Sequence, residues 1–227
     1  MLSSMLNSHP AVLCHHELFN PDGIYYALNL RDTDFSLANS IQERDQYPLD
    51  FLVKVWTHHQ AMPCVGFKMT HKQNLVIFEH ALTNPDIKKI VLRRNNQAKV
   101  HVSKLIAQQD GIWESYGQQH QPKEIQVEVS LAQLQQDVAF NHEFYQHIIT
   151  RLEQTSQDYL ELEYENLTQQ ATQQTLLQFL QLRFQPLTTP SNKQNPTDLR
   201  HVISNFSTLL AQCQDQALYN QLTDTLT

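Results

Sequence analysis

The stretch from residue 87 to residue 103 constrains the fold of this chain more than any other part of its sequence. It begins Ile-Lys-Lys-Ile-Val-Leu-Arg-Arg-Asn-Asn and reaches a serine at position 103. The apolar run over 88–92 is typical of a strand, and the spacing of apolar residues over 96–108 predicts a helix almost directly after it. Strands that alternate with helices in this way favour an α/β sandwich around a mainly parallel sheet.

The same alternation runs along the rest of the chain. Strands are predicted over 11–13, 64–69, 124–129 and 159–164, with 124–129 at a sheet edge. Helices are predicted over 2–8, 49–57, 74–82, 131–155, 168–180 and 199–213. We therefore expect residues 1–227 to form a single α/β domain, a three-layer sandwich.

The bulk composition excludes several functions. A formal charge of -7 and a pI near 5.9 argue against general nucleic-acid binding, which needs a basic surface. No apolar run reaches the roughly 20 residues that cross a bilayer, and no signal peptide is visible, so a cytoplasmic protein is expected. The three cysteines are too scattered for a zinc site. With only four glycines, the chain has no Walker-type or dinucleotide-binding loop.

The junction between the strand over 88–92 and its helix has the chemistry of an anion site. Arg93 and Arg94 end the strand, free N–H groups are expected at the helix start, and Ser103 follows on the helix. These groups can converge on one phosphate, with the helix dipole adding favourable potential. The alternative is that both arginines are simply solvated at the surface.

Six motifs together resemble bacterial carbohydrate sulfotransferases of the trehalose and nodulation-factor type. In chain order they are Ser8-His9-Pro10, Cys14-His15-His16-Glu17-Leu18-Phe19, Gly66-Phe67-Lys68-Met69-Thr70-His71, Leu92-Arg93-Arg94-Asn95-Asn96 with Ser103, Tyr164-Glu165-Asn166-Leu167, and Lys193-Gln194-Asn195-Pro196. The resemblance implies a P-loop-NTPase-like fold and transfer of a sulfuryl group from 3′-phosphoadenosine 5′-phosphosulfate, without a metal. The implied acceptor is a hydroxyl of a carbohydrate or glycolipid, and a homodimer stays open.

The resemblance also implies roles at the donor site. Arg94 and Ser103 would contact the 3′-phosphate, Tyr164 would lie by the adenine, and Lys193 would belong to a loop that closes over the 3′-phosphate. A core tyrosine and an ordinary surface lysine are the alternative interpretations of Tyr164 and Lys193.

Sulfuryl transfer needs a base for the acceptor hydroxyl and positive charge for the leaving phosphate oxygen. Glu17 matches the position of a catalytic glutamate in the trehalose-type enzymes, while His71 follows a strand as the base histidine does in the wider superfamily. We favour Glu17 and keep His71 as the alternative. Lys68 would bring charge to the sulfate end, or would only cover a sheet edge.

The sequence departs from this family at its start. Family members open with a strand and an Arg-Ser-Gly-Ser-Thr-like loop that wraps the 5′-phosphosulfate, and a helix follows this loop. Residues 1–8 correspond to the end of that helix, and this sequence has neither the strand nor the loop before it. The expectation is an N-terminally truncated sulfotransferase fold, through a misassigned start or through loss of catalysis. The alternative function is therefore a non-catalytic binding or interaction module. A nucleotide-kinase-like protein would need a Gly-Lys-Ser/Thr loop, which is absent.

Overall fold

The computed structural model describes residues 1–114, 116, 125–190 and 198–225 of the chain. Within these residues the strands are β1 (Val12–His15), β2 (Cys64–Phe67), β3 (Lys89–Arg93) and β4 (Tyr159–Glu163). The helices are α1 (Leu2–Leu6), α2 (Leu28–Arg31), α3 (Ile41–Gln46), α4 (Pro48–Thr57), α5 (Leu75–Thr83), α6 (Gln97–Asp110), α7 (Leu131–Gln154), α8 (Gln170–Phe179), α9 (Phe206–Gln212) and α10 (Gln216–Thr223). Short 3-10 turns cover Tyr164–Asn166 and Leu199–His201.

The chain divides into two compact units. Unit 1 comprises Met1–Val91, Ile148–Leu162 and Asn166–Pro190. Unit 2 comprises the described residues of Leu92–His147, Glu163–Glu165 and Ser191–Thr227. The single sulfotransferase-like domain expected for residues 1–227 stays a prediction.

The described strands form two small sheets. β1 and β2 pair in parallel, from Val12 opposite Cys64 to His15 opposite Phe67, and β3 pairs with β4 in a separate two-stranded sheet. The mixed α/β character predicted from the sequence is confirmed. A three-layer sandwich on one mainly parallel sheet, with a P-loop-like fold, stays a prediction.

Local chemistry explains where the central helices begin and end. Asn74 Oδ1 accepts a hydrogen bond from the Ile77 amide at the start of α5, and Asn96 Oδ1 accepts one from the Lys99 amide at the start of α6. A cap of this kind contributes about 1 kcal/mol to helix stability. Helix α6 ends at Gly111, whose φ of 76° is the left-handed conformation that closes helices readily only at glycine.

Each unit has its own apolar core. In unit 1 the buried side chains come from the loop after β1 and from α4 and α5: Leu18, Phe19, Tyr26, Leu37, Phe51, Leu52, Val55 and Ile77. In unit 2 helices α6, α7, α9 and α10 supply most of the core: Ala98, Val102, Ile106, Val127, Val129, Leu134, Leu199, Val202, Ile203, Leu209, Leu218 and Leu222. Fully burying one leucine contributes roughly 1.5–3 kcal/mol, so these clusters position the surrounding polar groups firmly.

Two predictions, the helix over 199–213 and the strand over 124–129, are wrong, and they share a cause. The single helix expected over 199–213 is a 3-10 turn followed by α9, because the Asn205 side chain bonds both the N–H and the C=O of Val129. The strand expected over 124–129 is, among the residues described there, one parallel bridge between Val127 and Ile203. Hydrogen bonds between these two segments replace those of a continuous helix.

Candidate functional site

Glu17 and Lys68 lie together in unit 1, beyond the ends of two paired strands. β1 ends at His15 and β2 ends at Phe67, which faces it across the parallel ladder. Because both strands point the same way, the residues that follow them emerge at one edge. The Lys68 ammonium lies 2.6 Å from Glu17 Oε1. The structure thus brings together two of the three residues predicted for catalysis.

Two further side chains orient the Glu17 carboxylate. Asn20 Nδ2 donates to Glu17 Oε2 at 2.7 Å, and Gln73 Nε2 donates to the same oxygen at 2.8 Å. Together with Lys68, these amides direct three donors at the two oxygens of the carboxylate. The Glu17 side chain is 19% exposed, which leaves it open to solvent. The local sequence does not distinguish Asn20 or Gln73 from other loop residues, because ordinary loop amides carry no local signal.

His71, the alternative base, lies in the same loop as Gln73. Its side chain is exposed, in the turn between Thr70 and Gln73, where Lys72 has a φ of 66°. Gln73 is buried and also donates to Thr70 Oγ1 at 3.1 Å. The loop after β2 therefore carries both Gln73, a hydrogen-bond donor to the Glu17 carboxylate, and the exposed imidazole of His71.

A buried arginine fixes the loop that follows Glu17. The Arg44 side chain is 1% exposed, and its carboxylate partner is the neighbouring Asp45 at 2.9 Å. Its Nη1 donates to three backbone carbonyls: those of Leu18 at 2.9 Å, Asn20 at 2.8 Å and Gly23 at 2.9 Å. Because one guanidinium satisfies all three, the loop that carries Asn20 is held against α3. Nothing in the local sequence distinguishes this arginine from a surface one.

His15 is buried inside unit 1. Its Nδ1 accepts a hydrogen bond from the Ala27 amide at 3.2 Å, and its ring stacks on Phe35 with centroids 6.1 Å apart. Burial, with a smaller contribution from His16, lowers the pKa of His15 to about 4. The neutral ring is therefore part of the core, and its charge state matters for stability.

Three of the predicted donor-site residues line one cleft in unit 2. This cleft, of about 360 Å³, is lined by Leu92, Arg93, Arg94, Val100, Ser103, Lys104, Ala107, Trp113, Tyr145 and Tyr164. Arg94, Ser103 and Tyr164 thus share a surface although they come from three different elements. The fourth, Lys193, lies outside the described residues. We call this surface the unit 2 cleft.

Each arginine of the cleft lies over a tyrosine ring. The Arg94 guanidinium carbon lies 5.1 Å from the centroid of Tyr164, and that of Arg93 lies 5.2 Å from the centroid of Tyr145. Tyr145 is fixed in turn, because its hydroxyl donates to the Leu92 carbonyl at 2.9 Å. Tyr164 is half-buried and lines the cleft, so it is not the core tyrosine of the alternative interpretation. Such cation–π pairs hold guanidinium groups in place over the rings.

The expectation of free N–H groups at the start of α6 is wrong. The Asn95 amide donates to the Glu165 carboxylate at 3.1 Å. The amides of Gln97 and Ala98 both donate to Gln221 Oε1, at 2.8 and 3.2 Å. The chain's own acceptors occupy this helix start, so an anion in the cleft would be recognised by side chains.

Comparisons of the chain with protein-family models, with curated proteins and with solved structures return no match. No helix within the described ranges is long and apolar enough to cross a membrane. Among the same residues, no three or more histidine, cysteine, aspartate or glutamate side chains gather as a metal site would require. The sulfotransferase resemblance therefore depends on the sequence motifs alone.

Proposed function

We propose that this chain transfers a sulfuryl group from 3′-phosphoadenosine 5′-phosphosulfate to a hydroxyl of a carbohydrate or glycolipid. The observation that carries the proposal is the unit 2 cleft, in which Arg94, Ser103 and Tyr164 lie on one surface. Arg94 and Ser103 belong to one sequence motif and Tyr164 to another, 61 residues after Ser103 in the chain. A guanidinium, a hydroxyl and aromatic rings are the groups that bind a phosphorylated nucleoside. The three-layer, P-loop-like fold is part of the same proposal.

The Glu17–Lys68 pair supports a catalytic role in unit 1. Glu17 takes the proton of the acceptor hydroxyl, whose oxygen then bonds to the sulfur of the donor. The bond between that sulfur and the bridging phosphate oxygen breaks, and 3′-phosphoadenosine 5′-phosphate leaves. Lys68, 2.6 Å from Glu17 Oε1, offers positive charge for the oxygens on which negative charge develops.

A binding experiment tests the donor site without an acceptor. The purified chain is titrated by calorimetry with 3′-phosphoadenosine 5′-phosphate, and we expect a dissociation constant in the micromolar range. Labelled donor is then offered with a panel of carbohydrates and glycolipids, and we expect label in a sulfate ester. A folded sample that does not bind the nucleotide would refute the proposal.

The second candidate function is a non-catalytic module that binds an anionic nucleotide. It is favoured by one observation: Glu165 and Gln221 accept hydrogen bonds from the backbone amides just before and at the start of α6. A donor site that relied on those amides would first have to release them. Nucleotide binding without transfer to any acceptor of the panel would favour this module over the enzyme.

A further inference from the structure

The unit 2 cleft has three cationic side chains, of which Arg94 is the proposed contact of the 3′-phosphate. The others are Arg93 and Lys104, and the described residues that line the cleft include no aspartate or glutamate. These three side chains gather on one small surface of a chain whose formal charge is -7. Such a surface favours an anion with more than one negative charge.

Lys104 follows Ser103 on α6 and has a carboxylate partner within unit 2. Its Nζ lies 3.1 Å from Asp137 Oδ1 and 2.9 Å from Asp137 Oδ2. The side chains are 46% and 29% exposed, so water screens the pair. Half-exposed pairs of this kind contribute little to stability. A ligand oxyanion can therefore replace Asp137 at little cost.

Asp137 itself is held in place by His101, one turn before Lys104 on α6. His101 Nδ1 lies 2.8 Å from Asp137 Oδ2 and, because a carboxylate only accepts, the imidazole donates. His101 is buried. Partial burial opposes ionisation of Asp137, but the hydrogen bonds from Lys104 and His101 outweigh it and lower the pKa of this carboxyl. The carboxylate therefore stays charged and keeps Lys104 beside the cleft.

From this geometry we infer that Lys104 is a third phosphate-recognition residue of the unit 2 cleft. It pairs with Asp137 in this structure, and it exchanges that carboxylate for an oxygen of a doubly charged phosphomonoester. Lys104 thereby selects a terminal phosphate over a hydroxyl at the same place. The identity of this group as the 3′-phosphate of the donor depends on the proposed function.

The test compares two nucleotides that differ by one phosphate. Wild type and Lys104→Met are titrated by calorimetry with 3′-phosphoadenosine 5′-phosphate and with adenosine 5′-phosphate. We expect Lys104→Met to weaken the first about tenfold and to leave the second unchanged, because a charge-assisted contact is lost only where the extra phosphate binds. Lys104→Arg keeps the charge and should stay within about threefold of wild type.

Lys54→Met is the matched control. Lys54 is 44% exposed and pairs with Glu43 at 3.4 Å in unit 1, so its loss removes the same charge and a similar ion pair. Neither nucleotide affinity should change in this variant. Equal weakening of both nucleotides by Lys104→Met, or no weakening of either, would overturn the inference.

Inorganic pyrophosphate separates this inference from the proposed function. The chain could bind pyrophosphate, with weaker binding in Lys104→Met, and yet not bind the nucleotide. This result would support the inference and refute the proposed sulfuryl donor. If the chain binds the nucleotide and transfers sulfate, and Lys104→Met changes neither, the result would support the proposed function and refute the inference. A wild-type chain that binds neither probe would overturn both.

Discussion

Arg94 is the residue on which the proposed donor site depends most. Its guanidinium lies over the Tyr164 ring, and its backbone carbonyl accepts a hydrogen bond from the Gln97 side chain. Both contacts hold the arginine in place. Neither of them is an ion pair, so neither neutralises its charge. The residue is therefore oriented before any ligand arrives, which reduces the entropy lost on binding.

Replacing Arg94 by alanine should weaken nucleotide binding. A charge-assisted hydrogen bond contributes about 1.5–3 kcal/mol, so the dissociation constant for 3′-phosphoadenosine 5′-phosphate should rise roughly ten- to a hundredfold. Calorimetry measures the change. Arg183→Ala removes an exposed arginine of unit 1 and should leave the affinity as it is. An unchanged affinity in Arg94→Ala would refute the assignment.

Replacing Glu17 by glutamine should remove the base and keep the shape of its site. Loss of a general base typically lowers kcat by about 10²–10⁴, so transfer should fall by that factor while nucleotide affinity stays constant. His71→Gln is the companion variant, measured in the same transfer assay. Full activity of Glu17→Gln together with loss of activity in His71→Gln would exchange the two roles.

At the level of elements, β1 shows why a histidine can belong to a core. All four residues of β1 are buried, and its neighbour β2 carries Lys68 to the same edge as Glu17. His15 ends the strand, so its ring packs among Phe35 and Tyr26 and not in water. The strand that positions the proposed base therefore also contains a buried titratable group.

This burial predicts how stability depends on pH. The pKa of His15 is lowered to about 4 in the folded chain, and that of an unfolded histidine is about 6.5. Between these values the unfolded chain binds more protons, so the contribution of His15 is complete above about pH 6.5 and is lost as the pH falls toward 4. The loss should amount to about 3 kcal/mol of unfolding free energy.

Urea unfolding at a series of pH values measures this dependence. His15→Asn keeps an acceptor near the Ala27 amide but cannot be protonated, so its stability should vary less over the same window. His201→Asn is the control, because that imidazole is 74% exposed. Equal slopes for wild type and His15→Asn would show that other groups cause the acid sensitivity.

At the level of the whole molecule, the charge distribution matters more than the net charge. The chain carries -7 overall, yet the described lining of the unit 2 cleft holds three cations and no carboxylate. A protein that must accept a polyanionic nucleotide while avoiding nucleic acid needs this arrangement. In the proposed reaction the protein's own cations would take the place that magnesium has in phosphoryl transfer.

The proposed reaction should therefore proceed in a chelator. Sulfate transfer measured with EDTA should equal that measured without it, because arginine and lysine side chains neutralise the donor. Addition of magnesium or zinc to the treated sample should not raise the rate. A loss of rate on chelation that a metal restores would contradict this part of the proposal.

Sequence reasoning succeeded where the determinants are local. The strand before Arg93 and the helix after Asn96 follow from apolar periodicity and from a capping side chain, and both appear within two residues of the predicted bounds. It failed over 199–213, where Asn205 bonds Val129 and interrupts a helix that the local pattern allows. Helices α2, α3 and α10 are absent from the predicted set, since short segments of mixed polarity give little periodic signal.

The sequence by itself determined the α/β character and the strand that leads into α6, and it supplied the side chains proposed to bind a phosphorylated nucleotide. These depend on periodicity, capping and residue chemistry, which act over a few neighbouring residues. Only the tertiary structure decided that Gln73 orients Glu17, that Arg44 holds the loop after it, and that Gln221 occupies the start of α6. Each of these contacts joins residues far apart in the chain, and which distant polar groups meet is set by core packing, which leaves no mark on the local pattern.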